Sequence, residues 1–302
     1  MEIAIEQKRQ EDGSEEKRHI LGKPIVYQLG IWGSGYLPKR FSYWFAKRIA
    51  DISYLFYKKA KQNVTNNLQK VFPDLSKKEI ASLVLSTFRN YSTYLVDYGR
   101  FRSLKRDSLF EVMPKIEGTE NIKSALERGN GIIMLTAHLG NWELGAIFFG
   151  RQDIKINVVT FSDGIHRIDD IKEEYRRQHN INTIILGESP FATVELLNAL
   201  QRNEVVAMLV DRYEKGNDSI DTTFLGRTYH FPNGPLVLAK MTGAALIPGF
   251  VVKDGESYYA VAESPLFIED DKDIKQCAQK ITSIFEQYIK QYPDQWYNFI
   301  AI

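Results

Sequence analysis

The chain predicts an α/β fold, with a largely parallel central sheet flanked by helices and an N-terminal amphipathic helical region ahead of it. Two patterns carry that prediction. Apolar runs at residues 131–137, 154–161, 183–186 and 205–210 are the length of strands and carry no polar alternation, as expected of strands buried on both faces. Helical patterns near 168–179 and 190–201 separate the last three of these runs, and strand–helix alternation at this spacing builds parallel sheets through crossover connections. With 302 residues and 44% hydrophobic content, the chain is long and apolar enough for a sizeable core.

Taken in order, residues 1–22 are charged and read as a tail. Residues 24–38 are apolar and aromatic but only 15 long, broken by Gly30, Gly33 and Gly35, whereas a spanning helix needs roughly 20 apolar residues. No secretory h-region is present. The single cysteine, Cys277, excludes a disulfide framework, fits a reducing compartment and sits in an apolar helical pattern as a buried small hydrophobe. From Lys39 to Lys61 rings (Phe41, Tyr43, Trp44, Phe45, Tyr54, Phe56, Tyr57) alternate with the basic pairs Lys39-Arg40, Lys47-Arg48 and Lys58-Lys59. Interfacial helices have this character, with rings at the headgroup level and cations meeting anionic lipid; a soluble helix with its rings turned to the core is the competing reading. Pro73-Asp74-Leu75 ends one helix, and Ser76 with Glu79 forms a capping box that opens another, running to about Phe101. Further strands are expected at 220–225, 246–253 and 258–263, and further helices at 233–242 and 271–292. The expected division is a tail (1–22), an amphipathic helical, membrane-associating region (23–110) and an α/β core (111–302).

A formal charge of +1 conceals strong asymmetry. Between Lys39 and Arg106 there are 15 basic and four acidic residues, a net of about +11, against about −10 elsewhere. A surface of that kind meets something anionic: a membrane, a nucleic acid or an acidic protein.

The segment Thr136-Ala137-His138-Leu139-Gly140-Asn141-Trp142-Glu143 concentrates the chemistry. His138 follows a buried strand at the end where α/β sheets bind ligands. Gly140 permits a tight turn, and Asn141 is an N-cap residue that puts Glu143 in the first helical turn. Within one helix His138 and Glu143 would not share a face, but across a strand–turn–helix junction they can converge. Glu143 would then hold one ring nitrogen of His138 while the other acts as a base. A structural histidine beside an ordinary first-turn glutamate is the bland alternative. His19, His166, His179 and His230 carry no metal-ligand spacing, so no metal site is expected. Gly187-Glu188-Ser189-Pro190-Phe191 lacks the last glycine of a nucleophile elbow, and Gly33-Ser34-Gly35 follows no strand.

The His138-Leu139-Gly140-Asn141-Trp142-Glu143 block resembles the His-x4-Asp/Glu box of bacterial glycolipid acyltransferases, in the late lipid A (lauroyl/myristoyl) branch that also holds phosphatidylinositol mannoside acyltransferases. Other blocks match in order over roughly residues 25–299. They are Asn63 to Ser76 with its Phe72-Pro73-Asp74-Leu75-Ser76, Glu174-Tyr175-Arg176-Arg177, Leu209-Val210-Asp211-Arg212 (Arg replacing Gln), Phe224-Leu225-Gly226, Gly234-Pro235 to Pro248, and Pro293-Asp294-Gln295-Trp296. Two departures stand out: an interfacial segment where the family has a membrane helix, and Asn298-Phe299-Ile300-Ala301-Ile302 where it has a basic cluster.

The resemblance implies transfer of an acyl chain from a thioester donor, acyl-carrier protein or acyl-CoA, to a hydroxyl of a glycolipid or lipid A-like acceptor, with no cofactor. It implies His138 and Glu143 as the catalytic dyad. Arg176 and the amides at Asn141 become oxyanion donors, with Gly140 beside them, and Asp211 orders Arg176 or contacts the acceptor. The implied location is the cytoplasmic face of the bacterial inner membrane, as a peripheral or monotopic monomer with no nucleic-acid partner. Rival readings are an acyltransferase for a glycerolipid or aminolipid, a nucleic-acid binder using residues 39–106, and a silent lipid-binding protein.

Overall fold

The computed structural model describes residues 37–101, 104–161, 166–187, 191–213 and 218–302. The expected tail 1–22, most of the segment 24–38 and the side chain of His166 lie outside them. Three helices come first: α1 (Lys39–Phe56), α2 (Lys58–Val71) and α3 (Lys77–Arg100). The capping box at the start of α3 is formed, with Ser76 Oγ accepting from the Glu79 amide and Glu79 accepting from the Ser76 amide. The 39–61 pattern is two helices, because the chain breaks at Tyr57.

The burial of α1 is the reverse of a soluble amphipathic helix. Its inward face is Ser42, Ala46, Ala50 and Ser53, small residues that let it lie close against α3. Its large apolar side chains face away: Phe41, Trp44, Phe45, Ile52, Leu55 and Phe56 are each at least half exposed, Phe56 by 75%. The reading in which these rings fill the core is therefore not what the fold does. Only the tyrosines turn inward. Tyr43 donates to Asp97 of α3 at 2.6 Å and accepts from Lys253 at 2.6 Å, and Tyr258 donates to Asp97 at 2.5 Å. This buried cluster joins α1 and α3 to the sheet. It also consumes one of the four acidic residues of the basic region, and Asp51, paired with Arg48 and Arg89, is another.

Next come α4 (Arg106–Val112), β1 (Lys115–Glu117), α5 (Thr119–Glu127), β2 (Ile132–Thr136), α6 (Trp142–Arg151), β3 (Ile156–Phe161), α7 (His166–Gln178), β4 (Ile181–Leu186), α8 (Ala192–Gln201) and β5 (Val205–Leu209). A hairpin of β6 (Ser219–Phe224) and β7 (Arg227–Pro232) follows, then α9 (Gly234–Thr242), β8 (Ala245–Asp254), β9 (Ser257–Ala262) and α10 (Asp271–Gln291). The seven-stranded sheet runs β1-β9-β8-β2-β5-β3-β4, parallel except where β8 and β9 pair as a hairpin. Residues 220–225 do not join it; β6 pairs only with β7. Strand β2 lies in the middle and is buried on both faces. Ile133 and Leu135 belong to one core cluster, Ile132 and Met134 to the other, which is why its sequence carries no polar alternation.

Helix α2 explains the Asn-rich block. Asn63 and Asn67 donate to the carbonyls of Phe299, Asn298 and Ile300 at 2.7–3.0 Å, so this helix holds the chain's last residues against the body. Cys277 is buried, and its environment raises the thiol pKa through loss of solvent.

Candidate active site

Strands β2 and β5 are parallel neighbours with Thr136 paired to Leu209. Two residues beyond each of these, at the carboxyl edge of the sheet, stand His138 and Asp211. The register therefore makes them meet: His138 Nδ1 lies 2.7 Å from Asp211 Oδ1. Asp211 is buried, and its other oxygen accepts from Trp296 Nε1 at 3.0 Å. Burial alone would raise the Asp211 carboxyl, but His138, its hydrogen bond, Arg212 and the Trp296 N–H outweigh it and hold it at about 2. Asp211 is thus an acceptor only at neutral pH, so Nδ1 of His138 carries the proton and donates. Burial first, then the charges of Arg212 and Lys172, pull His138 below its ordinary value, against the opposing pull of Asp211. Both effects favour the neutral ring, the form in which Nε2 carries the lone pair a general base requires.

The turn after His138 is held by main-chain bonds. The Tyr297 amide donates to the His138 carbonyl at 2.7 Å, the Gly140 amide to Gln295 at 2.9 Å, and the Asn141 amide to Val251 at 2.7 Å. Gly140 has φ +65°, and a Cβ there would lie 2.0 Å from the Val251 carbonyl oxygen, so both conformation and space demand glycine. Asn141 caps α6, its side-chain oxygen accepting from Leu144 N at 3.0 Å. Gln295 fixes Lys253 on β8 by accepting from its amide and donating to its carbonyl, each at 2.8 Å. The Pro293-Asp294-Gln295-Trp296 segment, a short 3-10 helix (Pro293–Gln295) followed by Trp296, therefore supports both the turn and Asp211.

Three expectations change here. Glu143 does not hold His138. Its carboxylate is taken by Arg176, with Nη2 to Oε1 at 2.6 Å and Nε to Oε2 at 3.3 Å, both side chains buried. Asp211 orders His138, not Arg176. Of the groups expected as oxyanion donors, Arg176 pairs with Glu143 through Nε and Nη2, and the Gly140 and Asn141 amides donate to the carbonyls of Gln295 and Val251. The reason is common to all three. Glu143 points from the first turn of α6 toward α7, which is anchored by Tyr175 stacked on Tyr98 at 4.0 Å and by His179 against Arg151 at 3.1 Å. Arg176 is one residue from Tyr175 on that helix, and a buried carboxylate opposite a buried guanidinium pairs with it. The Glu143 charge and its hydrogen bonds outweigh burial and raise the Arg176 pKa further.

The other histidines lie elsewhere. His230 pairs with Asp221 on the exposed hairpin at 2.8 Å, and His179 is buried and pushed down to about 4 by loss of solvent and by Arg151. Trp296 and Tyr297 are neighbours of His138 and Asp211 that sequence reasoning did not single out: Trp296 entered only as the end of a matching block, and Tyr297 not at all. The one signal for Trp296 was that a buried indole N–H needs an acceptor.

Below α6 an apolar cavity opens against the sheet, walled by Met134, Val158, Ala207 and Val251 and by Phe149 of the helix. It reaches Thr136, Trp142 and Glu143, and the Trp142 ring stands edge-on to His138 at 5.4 Å. His138, bonded to a buried carboxylate at the carboxyl edge of an α/β sheet, thus stands near an apolar cavity. The chain belongs to the bacterial lipid A biosynthesis acyltransferase family, whose sequence profile matches residues 17–300, and it is an acyltransferase. It is 26% identical over 277 residues to the lipid A biosynthesis lauroyltransferase of Escherichia coli K12, covering 90% of this chain and 83% of that protein. It is 23% identical over 273 residues to the lipid A biosynthesis palmitoleoyltransferase of the same strain, covering 89% and 87%. To the phosphatidylinositol mannoside acyltransferase of Mycobacterium tuberculosis H37Rv it is 22% identical over 216 residues, covering 71% and 68%.

Proposed function

We propose that this protein moves a fatty acyl chain from a thioester donor, an acyl-carrier protein or acyl-CoA, to a hydroxyl of a glycolipid, with His138 as the base. The imidazole held on Asp211 at the carboxyl edge of the sheet is the observation that carries this reading, and burial favours its neutral form. Nε2 takes the proton of the acceptor hydroxyl as its oxygen attacks the thioester carbonyl. The C–S bond of the tetrahedral intermediate then breaks, and His138 returns the proton to the departing thiolate. No nucleophilic Ser or Cys is needed. The acyl chain would lie in the apolar cavity under α6, whose walls offer it dispersion contacts and shelter from water. Arg176 and Glu143 act by fixing α6, and with it the turn, against α7.

His138→Ala tests the reading. Acyl transfer, followed by mass spectrometry of the lipid product, is expected to fall by at least about 10²-fold with the melting temperature unchanged; full activity would end it. Because His138 must be neutral and burial holds it below the ordinary histidine value of about 6.5, kcat/KM is expected to stay level through neutral pH and to begin falling only at a pH below that value; a fall already centred above it would overturn the assignment.

The outward face of α1 supports membrane docking. Its exposed rings are flanked by the exposed cations Arg40, Lys47 and Arg48, with Lys58 and Lys59 following at the start of α2. No helix among the described residues is long and apolar enough to cross a membrane, so the contact would be interfacial. Replacing Trp44 and Phe45 with Glu, both more than half exposed, is expected to abolish flotation with anionic vesicles and leave stability within about 0.5 kcal/mol. Unchanged flotation would remove α1 from the contact.

A further inference from the structure

We propose that Arg212 is the residue of this site that binds a phosphate group carried by a substrate. The inference rests on the acyl-transfer reading above. Arg212 follows Asp211 directly, and one of its guanidinium nitrogens donates to the Tyr297 carbonyl at 3.2 Å. The amide of that same Tyr297 donates to the His138 carbonyl at 2.7 Å, so one peptide segment holds both the base and the guanidinium. Asp211 spends both of its oxygens on His138 and Trp296, and no ion pair to Arg212 is formed among the described residues. The Nε of Arg212 is shielded from solvent and meets no acceptor among the described residues. A guanidinium in this state is a fork with donors to spare, and a phosphate oxygen pair is what such a fork matches in charge and geometry. Arg176, by contrast, is neutralised by Glu143.

Both substrates can bring phosphate: the donor in its pantetheine arm or pyrophosphate, the acceptor in its headgroup. Arg212→Gln and Arg212→Lys, assayed with acyl-CoA against a phosphate-free N-acetylcysteamine thioester, and with phosphorylated against dephosphorylated glycolipid, separate the two. Arg212→Gln is expected to raise KM about 10- to 100-fold, the loss of one charge-assisted contact. The rise falls only on the phosphate-bearing member of one pair, with kcat near wild type, and Arg212→Lys recovers part of it. Whichever pair responds identifies the source. Calorimetry with inorganic pyrophosphate reads the site without turnover: wild type and His138→Ala should bind it and Arg212→Gln should not. This keeps the phosphate site testable even if His138→Ala proves fully active. A drop in kcat shared by all four substrate combinations, with KM unchanged, would assign Arg212 to the tetrahedral intermediate or to structure and overturn the proposal, as would pyrophosphate binding that Arg212→Gln leaves intact.

Discussion

Asp211→Asn is expected to lower kcat by about 10³- to 10⁴-fold, as loss of the orienting carboxylate does in other carboxylate–histidine pairs, while leaving the fold in place. The side chains are nearly isosteric, so packing at this buried position survives. The hydrogen bonds decide the outcome. Trp296 Nε1 donates to one oxygen of Asp211, and the amide oxygen of Asn must stay there to accept it. The amide NH2 then faces Nδ1 of His138, 2.7 Å away in the wild type, and can only donate. Nδ1 becomes the acceptor, the proton moves to Nε2, and the nitrogen that should take the acceptor's proton no longer can. Asp211→Ala should also lose activity, but with a cost in stability of about 1–3 kcal/mol because the buried indole N–H loses its acceptor. The measurement is steady-state transfer beside thermal unfolding. Activity of Asp211→Asn within tenfold of wild type would remove the pair from the mechanism.

Glu143→Ala is expected to act through stability. It strands the buried Arg176 guanidinium, and breaking a buried ion pair by removing one partner costs about 3–5 kcal/mol. For a chain of this size that lowers the melting temperature by roughly 5–15 °C. Arg176→Met should cost a similar amount, and the double variant Glu143→Leu with Arg176→Met should recover much of it, since no buried charge is then left unpaired. This pattern separates a clamp between α6 and α7 from a group that takes part in proton transfer. A Glu143→Ala protein that melts like wild type yet transfers nothing would show that the carboxylate works in the chemistry.

The contrast between these two acidic residues shows what can be read from spacing. His138 and Glu143 lie five residues apart, and that local block pointed to the right place: the end of a buried central strand, a glycine turn and a helix start. It named the wrong partner. Asp211 is 73 residues further on, and only the register of β2 against β5 brings it to the ring. The strands themselves were legible because burial on both faces leaves near-continuous apolar runs. The β6–β7 hairpin was not placed apart from the sheet, because alternation gives a strand but not the sheet it joins. The rings of α1 illustrate the same limit. Their periodicity marked an amphipathic helix, but only the small-residue face of Ser42, Ala46, Ala50 and Ser53 against α3 determined that the aromatic side is the outer one.

Sequence alone, then, determined the α/β class, the basic and aromatic front, the lack of an internal disulfide and the position of His138 at the end of a buried strand. These follow from composition and from contacts within a few residues, where periodicity and capping act. Tertiary structure decided which carboxylate meets His138 and which one meets Arg176. Those pairings join residues far apart in the chain, and in a buried site each charge takes the partner that register and helix packing put within reach.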